Sequence, residues 1–131
     1  MSRVKTTDIC CDIETVQVWD AAIVLSKYLE LISDQLEAAT CLELGAGTGA
    51  VGLCAAALGS HQVTHHVILT INRNHSINFI KVVLTDRADY VDLLDHNIRL
   101  NQEILPSSQV SALPLNWGNL EEVSQYRESK Y

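Results

Sequence analysis

The chain has 131 residues, a hydrophobic fraction of 47% and a formal net charge of −7. That is enough for one domain of ordinary size with an apolar core, and the acidity argues against a phosphate backbone as partner while favouring a basic protein or peptide. No apolar run approaches the ~20 residues of a membrane span, and the start, Met-Ser-Arg-Val-Lys-Thr-Thr-Asp, has no apolar signal core, so a cytoplasmic or nuclear location is expected.

Trp19 and Asp20 precede a helix predicted over residues 21–32, with Val24, Leu25, Tyr28, Leu29 and Ile32 on one face at helical spacing. Asp20 is its expected N-cap. Residues 40–44 form the first strand, and the alanine-rich stretch from Ala50 to Leu58 forms the next helix, with Gly59 as its C-cap.

Residues 60–80 break the pattern, with no acidic residue and with His61, His65, His66 and His75 among them, and they read as an unusual, dispensable insertion. Residues 67–71 have the composition of a strand. No carboxylate or thiolate stands near these histidines at ligand spacing, so no metal is expected. Cys10, Cys11, Cys41 and Cys54 form no Cys-x-x-Cys pair and read as small hydrophobes.

Lys81 to Thr85 is a strand that ends on Asp86, and residues 88–103 are a predicted helix with Val91, Leu94 and Ile98 along one face. Residues 109–115 are strand-like but contain Pro114, which places that strand at a sheet edge because proline cannot donate to a ladder. Trp117-Gly118 follows, and residues 119–131 are a polar tail expected to fray. Strand, helix, strand, helix, strand implies right-handed crossovers and a parallel sheet. In such sheets a ligand sits beyond the carboxyl ends of the strands. Gly45, Asp86 and Trp117 each stand at or just past such an end.

The octet Leu-Glu-Leu-Gly-Ala-Gly-Thr-Gly, residues 42–49, is a strand running into a glycine turn that lets backbone approach a ligand closely. Glu43, two residues before the first glycine, favours an S-adenosylmethionine (SAM) site. Gly45-x-Gly47-x-x-Ala50 also fits a dinucleotide turn, so a nicotinamide-dependent oxidoreductase is the alternative. The Asp86 carboxylate suits both hydroxyls of a ribose, or else caps the following helix. Trp117 suits stacking on an adenine, or else closes the core. Trp19 suits a wall at the methionine end, facing the sulfonium, or else packs the first helix on the sheet.

These segments together resemble a known family. Gln17-Val18-Trp19-Asp20-Ala21-Ala22, the stretch from Leu42 to Leu53, Val82-Val83-Leu84-Thr85-Asp86 and Leu115-Asn116-Trp117-Gly118 are similar, in order, to motifs of the methyltransferase-like 21 group. These are seven-β-strand, SAM-dependent protein-lysine methyltransferases, and the likeness is greatest to the branch acting on valosin-containing protein, with the Hsp70 and elongation-factor branches close behind. The resemblance implies a Rossmann-like α/β methyltransferase fold, SAM as cofactor, a protein substrate of one of those types, and cofactor contacts at Trp19, Gly45, Ala46, Gly47, Asp86 and Trp117.

The chain departs from the group in three places: residues 60–80 lengthen one connection, the strands that precede the Trp-Asp segment are mostly absent, and the sequence ends before the fourth strand and its substrate-facing motif. The expectation is therefore a single partial domain over 1–131, comprising parallel strands one to three with flanking helices, without an identifiable catalytic residue. The companion expectation is a fragment or splice form that at most binds SAM.

Overall fold

In the computed structural model the described residues are 4–5, 17–33, 36, 40–59, 81–105, 109–119 and 121–124. The first helix, α1, spans Asp20–Leu31. Its N-cap is Trp19 rather than Asp20, and the Trp19 carbonyl accepts bonds from the Ala22 and Ile23 amides at 2.9 and 3.2 Å. Asp20 is instead the first helical residue, where its charge complements the helix dipole.

The apolar face read from the sequence is buried only at its C-terminal end, where Leu29 is in the core and Ile32 packs against it. Leu29 is buried, but Val24, Leu25 and Tyr28 are exposed. α1 packs on another helix, α2 (Ala50–Gly59), through Ala22, Ser26 and Leu29, and the Cys54 thiol donates to the Ser26 carbonyl at 3.9 Å. Small residues let two helices approach closely, so the contact stripe follows size as well as hydrophobicity. α2 itself buries Val51, Gly52, Leu53, Ala55 and Ala56 because it is enclosed between α1 and the sheet.

The sheet is parallel in the order β1 (Thr40–Leu44), β2 (Lys81–Asp86), β3 (Val110–Pro114). The register pairs Glu43 with Leu84 and Asp86 with Pro114. β2 is central and buries Val82, Val83, Leu84 and Thr85, a near-continuous apolar run as expected of a strand covered on both faces. β3 is an edge strand among the described residues, in keeping with Pro114 at its end. The Leu115 amide extends the ladder by donating to the Asp86 carbonyl at 2.7 Å.

After β2 the chain makes a 3-10 turn, Ala88–Tyr90, and then α3, Val91–Leu100, where the sequence suggested one helix over 88–103. α3 buries Leu93, Leu94 and Asn97, while Val91 and Ile98 are half-buried. Cys41 is fully buried in the core, and burial pushes its thiol up to about 11. The start of the tail carries a helical turn. Asn119 Oδ1 accepts from the Glu121 and Glu122 amides at 3.1 and 3.4 Å, capping a helical turn over 121–124. Residues 60–80, Cys10, Cys11 and the strand suggested at 67–71 lie outside the described residues.

Candidate functional site

β1 delivers the backbone into the turn at the carboxyl end of the sheet. Gly45, Gly47 and Gly49 take φ of 66°, 55° and 75°, a left-handed region that disfavours residues with a Cβ. Three bonds from two elements, β2 and α3, fix the turn. The Ala46 amide donates to the Thr85 carbonyl at 3.0 Å, and the Gly47 amide to Asp86 Oδ2 at 2.8 Å. From α3, Asn97 Nδ2 donates to the Thr48 carbonyl at 2.9 Å. A Cβ on Gly49 would lie 2.9 Å from Leu84 Cδ1 and 3.0 Å from Leu94 Cδ2, so this glycine is also required by the close seating of turn on core.

Asp86 faces the turn from the adjacent strand. Its other oxygen, Oδ1, accepts from the Arg87 amide at 2.8 Å. It does not cap the helical segment that follows, which starts without a side-chain cap bond. Each carboxylate oxygen keeps a further lone pair, so the pair remains able to accept from two neighbouring hydroxyls.

Glu43 lies beneath the turn. Its Oε2 accepts from the Gly52 amide at 2.9 Å, satisfying a free donor in the first turn of α2. Burial raises the Glu43 carboxyl to about 7, against a lowering by the Gly52 bond and with a further rise from Asp86. Gly52 is a residue the sequence reading did not single out. A Cβ there would stand 2.6 Å from Glu43 Oε2 and 2.2 Å from Leu84 Cδ2. Its signal in the sequence is a glycine inside an otherwise alanine-rich helix, a position that only close packing explains.

A cavity of about 610 Å³ opens over the turn, a volume in the range of small-molecule sites. Trp19, Glu43, Gly45, Ala46, Gly47 and Asp86 all line it. Trp19 is 77% exposed, so it forms a wall of the cavity rather than packing α1 on the sheet. Trp117 stands apart. It is 75% exposed and does not close the core, nor does it line the cavity; its ring edge rests against Gly45, where a Cβ would be 3.2 Å from Cζ2. The far wall carries Arg87, which pairs with Asp89 and lies 5.1 Å from the Tyr90 ring centroid. No group of three or more His, Cys, Asp or Glu suited to a metal occurs among the described residues.

A glycine turn and an acid at the ends of adjacent parallel strands, with a cavity beside them, define a Rossmann-like α/β fold, here the N-terminal part of a methyltransferase. The lysine methyltransferase family matches residues 8–130, and the chain belongs to that family. It is 39% identical over 110 residues to protein N-lysine methyltransferase METTL21A of Xenopus tropicalis, a match covering 83% of this chain and 42% of the relative. The mouse METTL21A is 38% identical over 110 residues, covering 82% and 40%. EEF1A lysine methyltransferase 3 of Xenopus tropicalis is 39% identical over 64 residues, covering 47% and 29%. The chain thus spans about two fifths of the length of the METTL21A relatives (42% and 40%).

Proposed function

We propose that this chain forms the methyl-donor side of a SAM-dependent protein-lysine methyltransferase. The observation that carries the reading is the Asp86–Gly47 bond of 2.8 Å, which sets a carboxylate beside a backbone turn at the mouth of a cavity. The residues fit an adenosyl ligand. Asp86 can accept from both ribose hydroxyls, the turn lets backbone approach closely, and Trp19 offers an aromatic face to a cation. Trp117 acts through Gly45, holding the turn from outside the cavity.

When bound, SAM supplies a methyl group on a sulfonium, ready for in-line displacement. The chain's own contribution is to hold that donor in one pose, because alignment supplies much of the acceleration in such a transfer. The acceptor is a protein lysine, and the net charge of −7 favours one set in a basic stretch. Valosin-containing protein, Hsp70 and elongation factor are the substrate types to test first, in the cytoplasm and the nucleus.

A second reading, donor binding without transfer, is favoured by one observation. Among the described residues the sheet has three strands and β1 pairs on one side only. Equilibrium dialysis of the chain with radiolabelled SAM, followed by incubation with the three substrate types, separates the readings. Binding displaced by S-adenosylhomocysteine, with label on a substrate lysine, supports transfer. Binding without label supports the second reading, and absence of binding overturns both.

A further inference from the structure

Glu43 is placed where no need of the fold explains a charge. It lies under the glycine turn and lines the cavity, and the Gly52 amide holds Oε2. A neutral carboxyl or a carboxamide can accept that same bond. Among the described residues, the other charged or titratable ones lining the cavity are Asp86, Arg87 and Tyr90. α2, which packs over Glu43, contributes no charged residue. The Arg87 guanidinium is committed to Asp89, which leaves Asp86 as the charge that acts on Glu43. Two carboxyls therefore share one cavity, and among the described residues the cation lining it, the Arg87 guanidinium, is hydrogen-bonded to Asp89 and acts on Asp86 only through space.

We propose that Glu43 lets this cavity tell the cationic methyl donor from its neutral product, by giving up its proton to solvent when the sulfonium binds. The inference rests on the cavity being the SAM site. Transfer of the methyl removes the positive charge from the ligand. An ionised Glu43 is then left beside Asp86 without the sulfonium, takes a proton back from solvent, and offers the neutral product no charge attraction. Donor and product differ by one unit charge, so their affinities diverge as the pH rises. Burial sets the range in which this happens, because it holds the free carboxyl up to about 7.

The test is the affinity of SAM and of S-adenosylhomocysteine for the full 131-residue chain from about pH 5.5 to 7.5, read by tryptophan fluorescence or dialysis, in the wild type and in Glu43→Gln. The carboxamide keeps the acceptor for the Gly52 amide, and the ligand's own amino group titrates equally against both proteins. The SAM-to-product affinity ratio is expected to rise on the order of tenfold across that range in the wild type, as for one added charge acting on a partly buried carboxylate of the same cavity. It should stay flat in Glu43→Gln. Binding of both ligands with a ratio independent of pH, or one that rises equally in Glu43→Gln, overturns the inference and leaves the SAM site standing. Absence of binding by either ligand overturns both.

Discussion

Asp86 and Gly47 lie 39 residues apart in sequence and are joined by a 2.8 Å bond from the glycine amide to the aspartate carboxylate. This bond ties the end of β2 to the turn that follows β1. Asp86→Ala should remove both the tie and the ribose acceptors, weakening S-adenosylhomocysteine by about 1.5–3 kcal/mol, roughly ten- to a hundredfold. Calorimetry checks this, and unchanged affinity would return Asp86 to a purely structural role.

Asn97 is buried on α3 and donates to the Thr48 carbonyl at 2.9 Å, while its own carbonyl accepts from Asn101 Nδ2 at 2.7 Å. Asn101 in turn bonds the Lys5 backbone at both ends of its amide. Asn97→Ala leaves the Thr48 carbonyl without that donor and opens a small void. It should cost about 1–3 kcal/mol of stability, read as a lower urea midpoint. A midpoint within error of the wild type would mean that the turn is held without α3.

Much of this was legible in the sequence, for identifiable reasons. Glycines with positive φ, a strand that stops on an acid and an edge-strand proline are local signals, and each falls where the local chemistry put it. The burial of α1 was legible only in part: Leu29 and Ile32 pack on the core as read, but Ala22 and Ser26 complete the buried stripe against an alanine-rich partner while Val24, Leu25 and Tyr28 stand exposed. Asn97 was not legible either. A polar residue on an amphipathic helix reads as solvent-facing until its partner is known to be a turn carbonyl 49 residues away.

Gly52→Ala should destabilise the chain although alanine is the better helix former by about 1 kcal/mol. The added Cβ would meet Leu84 Cδ2 at 2.2 Å and Glu43 Oε2 at 2.6 Å. Overpacking of this kind costs about 1–3 kcal/mol, and the strain falls first on Leu84 and then on Glu43. Thermal melting checks the sign, and a raised Tm would show that β1 and α2 can separate freely.

The raised Glu43 carboxyl also fixes a pH dependence of the free chain. Its folded value is about 7 against an ordinary 4.5, so the folded state holds the proton more tightly. The stability this contributes is complete below the ordinary value and is lost as the pH rises through about 7, up to roughly 3 kcal/mol for a shift of this size. Urea midpoints should therefore fall between about pH 5 and pH 8 in the wild type and fall less in Glu43→Gln. Equal slopes in the two proteins would remove Glu43 from the balance.

The central claim is that the turn over residues 45–47 and Asp86 form an adenosyl site. The direct measurement is a titration of the isotope-labelled chain with S-adenosylhomocysteine and, separately, with NAD, followed by the backbone amide resonances. S-adenosylhomocysteine should shift the Gly45, Ala46, Gly47 and Arg87 amides saturably, with NAD leaving them in place. Shifts at these amides from NAD instead, or none from S-adenosylhomocysteine at millimolar concentration, would contradict the account.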